Sequence, residues 1–159
     1  MMDIQYAKQI LKTDLQDKAR DGGCHCPVCG QYAKVYRRQI AATTVRQLAK
    51  VYHEHGVGVY FHVRDTMLRG MSGAADFPKL EYWNLIRRMP HNEGDDGKKS
   101  SGMWKITPSG KAFLQDHLAV PQYALVYNGN VLAMEGNMVN VRQCLGQKFD
   151  YNELMGRLV

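Results

Sequence analysis

The segment that most restricts the fold is His91-Asn92-Glu93-Gly94-Asp95-Asp96-Gly97-Lys98-Lys99-Ser100-Ser101-Gly102, a polar, glycine-rich run bounded by apolar stretches. A run of that composition buries little and favours turns. It therefore predicts an exposed tip, with the stretches on either side folded back on one another as a hairpin. The returning strand is predicted over residues 103–107, and Thr107-Pro108 then caps a helix carrying Ala112, Phe113 and Leu114. The threonine hydroxyl can accept from a first-turn amide, and the proline occupies a position whose N–H has no helical partner anyway. The 159 residues, 45% hydrophobic and 23% charged, suffice for one compact unit with small appendages. That leaves no room for two large independent folds, and argues against most large cofactor enzymes and against a chain disordered overall.

Upstream, Asp3 is placed to cap a helix whose apolar positions Ile4, Ala7, Leu11 and Leu15, widened by Ile10, recur at helical spacing until Gly22-Gly23. A stronger helix is predicted over residues 36–53, with Ala41, Val45, Leu48 and Tyr52 on its apolar face and Gly56 and Gly58 ending it. Val57, Val59, Phe61 and Val63 alternate as a short half-buried strand. Asp65 then caps a short helix to Arg69, Gly70 to Gly73 form a turn, and Asp76 with Pro78 opens a helix running to about Arg88. That helix carries Leu80, Trp83, Leu85 and Ile86. In the tail, residues 123–127 and 131–134 flank Asn128-Gly129-Asn130, a hairpin signal. A strand over 139–142 and a short helix after Asp150 finish the chain. Trp83 and Trp104 read as core, and the nine scattered methionines as core filling.

Trp104-Lys105-Ile106-Thr107-Pro108-Ser109-Gly110-Lys111-Ala112-Phe113-Leu114 follows the pattern aromatic-x-Leu/Ile-Thr-x-x-Gly-x-x-Phe/Leu. It resembles the stretch of winged helix-turn-helix regulators in which the second wing strand runs into the next helix. With the order helix, strand, helix, helix, hairpin, helix, the resemblance covers residues 36–117. It implies an α+β fold with a winged-helix core over residues 36–118, an N-terminal helix and cysteine knuckle over 1–35, and a β-hairpin extension over 119–159.

In that family the helix before the wing enters the major groove and the wing touches the backbone or minor groove. The implied contacts are Lys79, Asn84, Arg87 and Arg88 on the groove helix, and Lys98 and Lys99 with Ser100 and Ser101 at the wing tip. The acids Glu81, Glu93, Asp95 and Asp96 share those segments. The function implied is non-catalytic binding of double-stranded DNA by a transcription-regulator-like protein. A Cys-Pro-x-Cys-Gly knuckle ahead of such a unit also resembles small bacteriophage proteins. Because a winged helix can serve protein contact instead, the alternative is an interaction module that binds and modulates a host protein.

Twenty-one Lys and Arg against fifteen Asp and Glu give +6, a balance suited to an acidic partner. The charge is uneven. No acid falls between Asp21 and Glu54, whereas Lys34, Arg37, Arg38, Arg46 and Lys50 do. This window is the predicted electrostatic footprint, so Arg37, Arg38, Arg46 and Lys50 join the DNA-binding candidates, against the plainer reading of a solvated helix face. From residue 119 onward acids and bases balance, which suits packing, a homodimer contact or a protein partner better than nucleic acid.

Cys24, Cys26 and Cys29 cluster while Cys144 stands far off, which is not a disulfide framework and predicts a reducing, cytoplasmic setting. The N-terminus carries no secretory pattern, no stretch is apolar enough to span a membrane, and no membrane partner is expected. Cys26-Pro27-Val28-Cys29-Gly30 has the spacing of a zinc knuckle, in which a turn presents two sulfurs and backbone amides to one ion. Tetrahedral zinc needs two further ligands. Cys24 is the nearest third, and His25, His53, His55, His62 and Cys144 are open for the fourth, with His53 at the end of the basic helix favoured; completion between subunits and metal-free reduced thiols are further readings. Four protein ligands would make such a zinc structural. Catalysis is not expected: H-E-x-x-H spacing, a phosphate-cradling glycine loop and a Gly-x-Ser-x-Gly elbow are all missing. A small zinc-dependent nuclease is the remaining enzymatic form.

Overall fold

A computed structural model describes residues 3–17, 24–66, 68–71, 73–90, 102–127 and 129–156. In chain order these form α1 (Ile4–Asp17), β1 (Cys24–His25), β2 (Tyr32–Ala33), β3 (Tyr36–Gln39), α2 (Ala42–His55) and β4 (Phe61–His62). A 3-10 turn (Val63–Asp65) and a 3-10 helix (Ala74–Trp83) lead to β5 (Ile86–Arg88), β6 (Met103–Ile106) and α3 (Pro108–Leu114). β7 (Val120–Tyr127), β8 (Asn130–Val139), α4 (Val141–Leu145) and α5 (Tyr151–Gly156) complete the order. The mixture of helix and antiparallel sheet is the α+β class the sequence predicts. Among the described residues no helix is long and apolar enough to cross a membrane.

The chain divides into two compact units. The first joins Met1–Gln39 to Pro121–Asn137 and holds α1, the β1–β2 hairpin and the sheet β3-β7-β8. Asp3 caps α1 as predicted, its carboxylate accepting from Gln5 N at 3.3 Å and its carbonyl from Ala7 N at 2.9 Å. Ala7 is buried, but Ile4 stands exposed; the Leu15 side chain and Gly22-Gly23 lie outside the described residues. Cys24, Ala33, Val35 and Leu125 form the buried centre of this unit, with Leu11, Tyr127 and Leu132 packed against it.

The second unit, Ile40–Val120 with Met138–Val159, is built on α2, whose face Thr44, Val45, Gln47, Leu48, Ala49 and Val51 is buried. The sheet β4-β6-β5 pairs Phe61 and Arg88 with Trp104, and Ile86 with Ile106. Phe77, Leu80, Leu85, Phe113, Leu114 and Leu145 are fully buried, and Trp83 and Trp104 join the core as expected. The wing tip, including Lys98, Lys99, Ser100 and Ser101, lies outside the described residues, as does Asn128.

The Thr107 cap forms as the sequence predicts and does more than cap. Its Oγ1 accepts from Gly110 N at 3.0 Å and donates to the Asn84 carbonyl at 2.6 Å, while Thr107 N donates to Leu85 O at 3.1 Å. Gly110 sits so close beneath the Leu85 carbonyl that a Cβ there would overlap its oxygen and stand 2.9 Å from Ile106 Cγ2. The threonine and glycine of the Thr-x-x-Gly motif are thus one device. They dock the start of α3 against the 84–85 corner.

Several boundaries differ from the sequence reading. The helix predicted over 36–53 is two elements, because Tyr36, Arg37, Arg38 and Gln39 pair with Val126, Leu125, Ala124 and Tyr123 as strand β3, and the helix begins only at Ala42. Apolar spacing within the window is compatible with a helix, but the cross-strand ladder in β7 satisfies these backbone groups better. The helix predicted from Asp76 to Arg88 ends at Trp83 and is 3-10 rather than α. Pro78 removes an interior donor, and Asn84 (φ 60°) turns the chain left-handed, so Leu85 enters a corner and Ile86, Arg87 and Arg88 become strand. The strand predicted over 57–63 is reduced to Phe61–His62, since Gly56 (φ 75°) and Gly58 (φ 80°) bend the approach. Asp65 closes the 3-10 turn instead of opening a helix: the side chain capping that turn belongs to His62, whose Nδ1 accepts from Arg64 N at 3.2 Å. The predicted strand over 139–142 ends at Val139, because Asn140 and Gln143 form a reciprocal capping box, at 2.8 and 2.9 Å, that starts α4.

Candidate nucleic-acid interface and cysteine hairpin

Strand β3 is an edge strand of its sheet; Tyr36 and Arg38 share one face of it, and Lys34, in the extended approach just before the strand, reaches the same Tyr36 ring. The Tyr36 ring is half exposed, at 50%, and is flanked by Lys34 Nζ at 5.5 Å and the Arg38 guanidinium at 5.0 Å. Between them Arg37 lies over Tyr123, its guanidinium 3.6 Å from the ring centroid and 3.9 Å from the Glu135 carboxylate. Gly136 (φ 88°) makes room for the Tyr123 ring, since a Cβ there would stand 2.8 Å from it. Arg37 is therefore partly neutralised, whereas the Lys34–Tyr36–Arg38 row has no carboxylate of its own among the ion pairs of the described residues.

Beside this row lies a cleft of about 470 Å³ lined chiefly by Cys26, Cys29, Tyr32, Lys34, Tyr36 and Tyr127. Its other wall is the β1–β2 hairpin, paired at Cys24 with Ala33 and at His25 with Tyr32. The hairpin turn is held by Cys26 N donating to Gln31 O at 2.8 Å and Gly30 N to Cys26 O at 2.9 Å. The backbone N–H groups of Cys29 and then Val28 donate to the Cys26 sulfur, and these bonds hold its thiol below the ordinary range. The turn thus presents one thiolate-favouring sulfur beside a second, exposed one.

The remaining metal candidates are placed differently. Cys24 is buried in the apolar centre of the first unit. His53 belongs to the second unit, where its Nε2 lies 2.6 Å from the Leu154 carbonyl and ties α2 to α5. His25 contacts Gly30 O at 3.1 Å, His55 stacks on Phe61 at 5.4 Å, and burial pushes the Cys144 thiol up to about 11. Among the described residues no group of three or more His, Cys, Asp or Glu comes together to hold a metal ion.

The DNA candidates of the second unit are mostly engaged. Lys79 pairs with Asp76 at 2.7 Å, and Arg88 pairs with Glu81 at 3.2 Å while lying over Trp104 at 5.1 Å. Arg46 lies over Phe149 at 5.0 Å, and Lys50 is half-buried on α2. Asn84 and Arg87 are exposed, the first at the left-handed corner and the second on β5. The acid-free window is legible in the sequence, but the exposed Tyr36 ring between Lys34 and Arg38 is not. The signal was the two-residue spacing of Lys34, Tyr36 and Arg38, which a helical reading of the segment conceals. No family model, curated protein or solved structure matches the chain.

Proposed function

We propose that this chain is a non-catalytic DNA-binding protein that contacts its ligand through the Lys34–Tyr36–Arg38 row at the head of β3. The observation carrying the reading is that cation–aromatic–cation row on an exposed edge strand, inside the longest stretch of the sequence without an acid. The second unit supports a winged-helix relationship by its order of elements and by the sheet β4-β6-β5, in which the two strands flanking the predicted wing are paired. In that unit exposed Arg87 and Asn84 are the groove-side candidates; Lys98 and Lys99 lie outside the described residues.

The reading is tested by titrating the full chain into labelled random-sequence DNA at increasing salt. Log affinity should fall linearly with log salt. Lys34→Glu with Arg38→Glu should weaken binding to all sequences alike and reduce the salt slope by about 1 for each phosphate no longer neutralised. Absent or salt-independent binding refutes the proposal.

A zinc ion held by Cys26 and Cys29 belongs to the same proposal, on the strength of their spacing and of the amide-to-sulfur bonds at Cys26; these two thiols are half of a tetrahedral set, and no third ligand gathers with them among the described residues. Metal analysis of the purified protein should show bound zinc that Cys26→Ser and Cys29→Ser abolish. Unchanged metal content in those variants, or none in the parent, removes it. A second reading, a protein or homodimer contact, is favoured by β8, a ten-residue edge strand with Val131, Met134 and Met138 exposed. Concentration-dependent self-association that Met138→Lys abolishes would support it.

A further inference from the structure

Resting on the DNA-binding reading, we infer that the β3 surface and its adjoining cleft take single-stranded nucleic acid, with an unpaired base stacked on Tyr36. In a duplex the base faces are covered by their neighbours and only edges are offered in the grooves, so an exposed ring has nothing to stack on. An unpaired base offers its face, and every base has one. Tyr36 is suited to that face: half its surface is open, it stands at the head of a strand, and Lys34 and Arg38 lie against its ring.

Lys34 and Arg38 precede and follow Tyr36 by two residues each, and their charged groups lie 5.5 and 5.0 Å from the centre of its ring. That places one cation for the phosphate on either side of a base held at the centre. The cleft continues the same surface. Its volume, about 470 Å³, falls within the range of sites that hold a small molecule or one nucleoside, roughly 300–1,000 Å³. Its far wall carries Tyr32, 55% exposed, as a second stacking ring, and Gln31 as a donor and acceptor for a base edge. A surface built to follow duplex backbone would need cations alone. The aromatic rings, open and interleaved with the cations, are what distinguishes a single-strand track.

The experiment compares an oligothymidine single strand with a duplex of equal length, using the full chain, Tyr36→Ala, Tyr36→Phe, Tyr32→Ala and the Lys34→Glu with Arg38→Glu variant. Because Tyr36 and Tyr32 are exposed, thermal melts of these variants should match the parent. The single strand should bind more tightly than the duplex. Tyr36→Ala should lower its affinity about ten-fold without changing the salt slope, Tyr36→Phe should retain it, and Tyr32→Ala should cost a smaller factor. Duplex binding equal to or tighter than single-strand binding, or single-strand affinity unaffected by Tyr36→Ala, overturns the inference while a charge-variant effect leaves the DNA-binding reading standing. Binding of neither probe overturns both.

Discussion

Gly110→Ala tests the reasoning on which the second unit rests, because helix propensity and packing predict opposite signs. Replacing glycine by alanine inside a helix ordinarily stabilises by about 1 kcal/mol. At 110 the new methyl would overlap the Leu85 carbonyl oxygen and crowd Ile106. Relieving that overlap requires α3 and the 84–85 corner to separate by on the order of 1 Å. Such a movement strains the packed core at a cost of about 1–3 kcal/mol. It also lengthens the Thr107 N to Leu85 O bond, now 3.1 Å, and the Thr107 Oγ1 to Asn84 O bond, now 2.6 Å. Two weakened bonds at about 1 kcal/mol each, set against the propensity gain, leave a net destabilisation of about 2–4 kcal/mol.

Urea unfolding of the full chain, followed by tryptophan fluorescence from buried Trp83 and Trp104, reads this directly. With a slope of about 2 kcal/mol/M, the midpoint should fall by roughly 1–2 M. Gly156→Ala in α5 is the control, since nothing lies within 4 Å of its added Cβ; its midpoint should stay or rise slightly. A Gly110→Ala midpoint at or above that of the parent would refute the close-approach account of the Thr-x-x-Gly motif.

Gln47 is fully buried in α2, and neither its amide nitrogen nor its oxygen has a hydrogen-bond partner among the described residues, so Gln47→Leu should raise the melting temperature by about 2–4 °C by removing an unsatisfied polar group; a fall would contradict it. Gly136→Ala should loosen the β7–β8 hairpin by about 1–3 kcal/mol, because the residue sits at φ 88° with the Tyr123 ring against it; faster amide exchange on β8 is the readout. Burial raises the Cys144 thiol to about 11, so its neutral form favours the folded state; that stabilisation is complete below the ordinary thiol pKa of about 8.5 and is lost as pH rises toward 11. Stability measured against pH should therefore decline over that window, and Cys144→Ala should flatten the decline. Alkylation at neutral pH should modify Cys26 or Cys29 well before Cys144, because the Cys29 and Val28 amides favour the Cys26 thiolate while burial disfavours that of Cys144; equal rates would sink the comparison.

The local signals that proved legible were those with a short-range physical cause. Asp3, Thr107-Pro108 and the turn around Gly129 announce themselves because caps and turns are decided by neighbouring residues, and α1, α3 and the β7–β8 hairpin follow from them. The acid-free window and the Cys-Pro-x-Cys-Gly turn were likewise readable, because charge and thiol spacing belong to the chain itself. What sequence could not decide is where long-range pairing overrides spacing. Residues 36–39 carry a pattern a helix can use, yet they become strand because β7, more than eighty residues later, offers a complete ladder. Arg87 and Arg88 leave the predicted groove helix because Asn84 turns left-handed and β6 pairs with the segment that follows. The candidate site lies in that gap. Its charges were visible in the sequence, but Tyr36 and Arg38 share a face only once the backbone takes a two-residue period, and over 36–39 that period is imposed by hydrogen bonds to a strand the local sequence does not contain; Lys34 then meets the same ring from the segment before the strand.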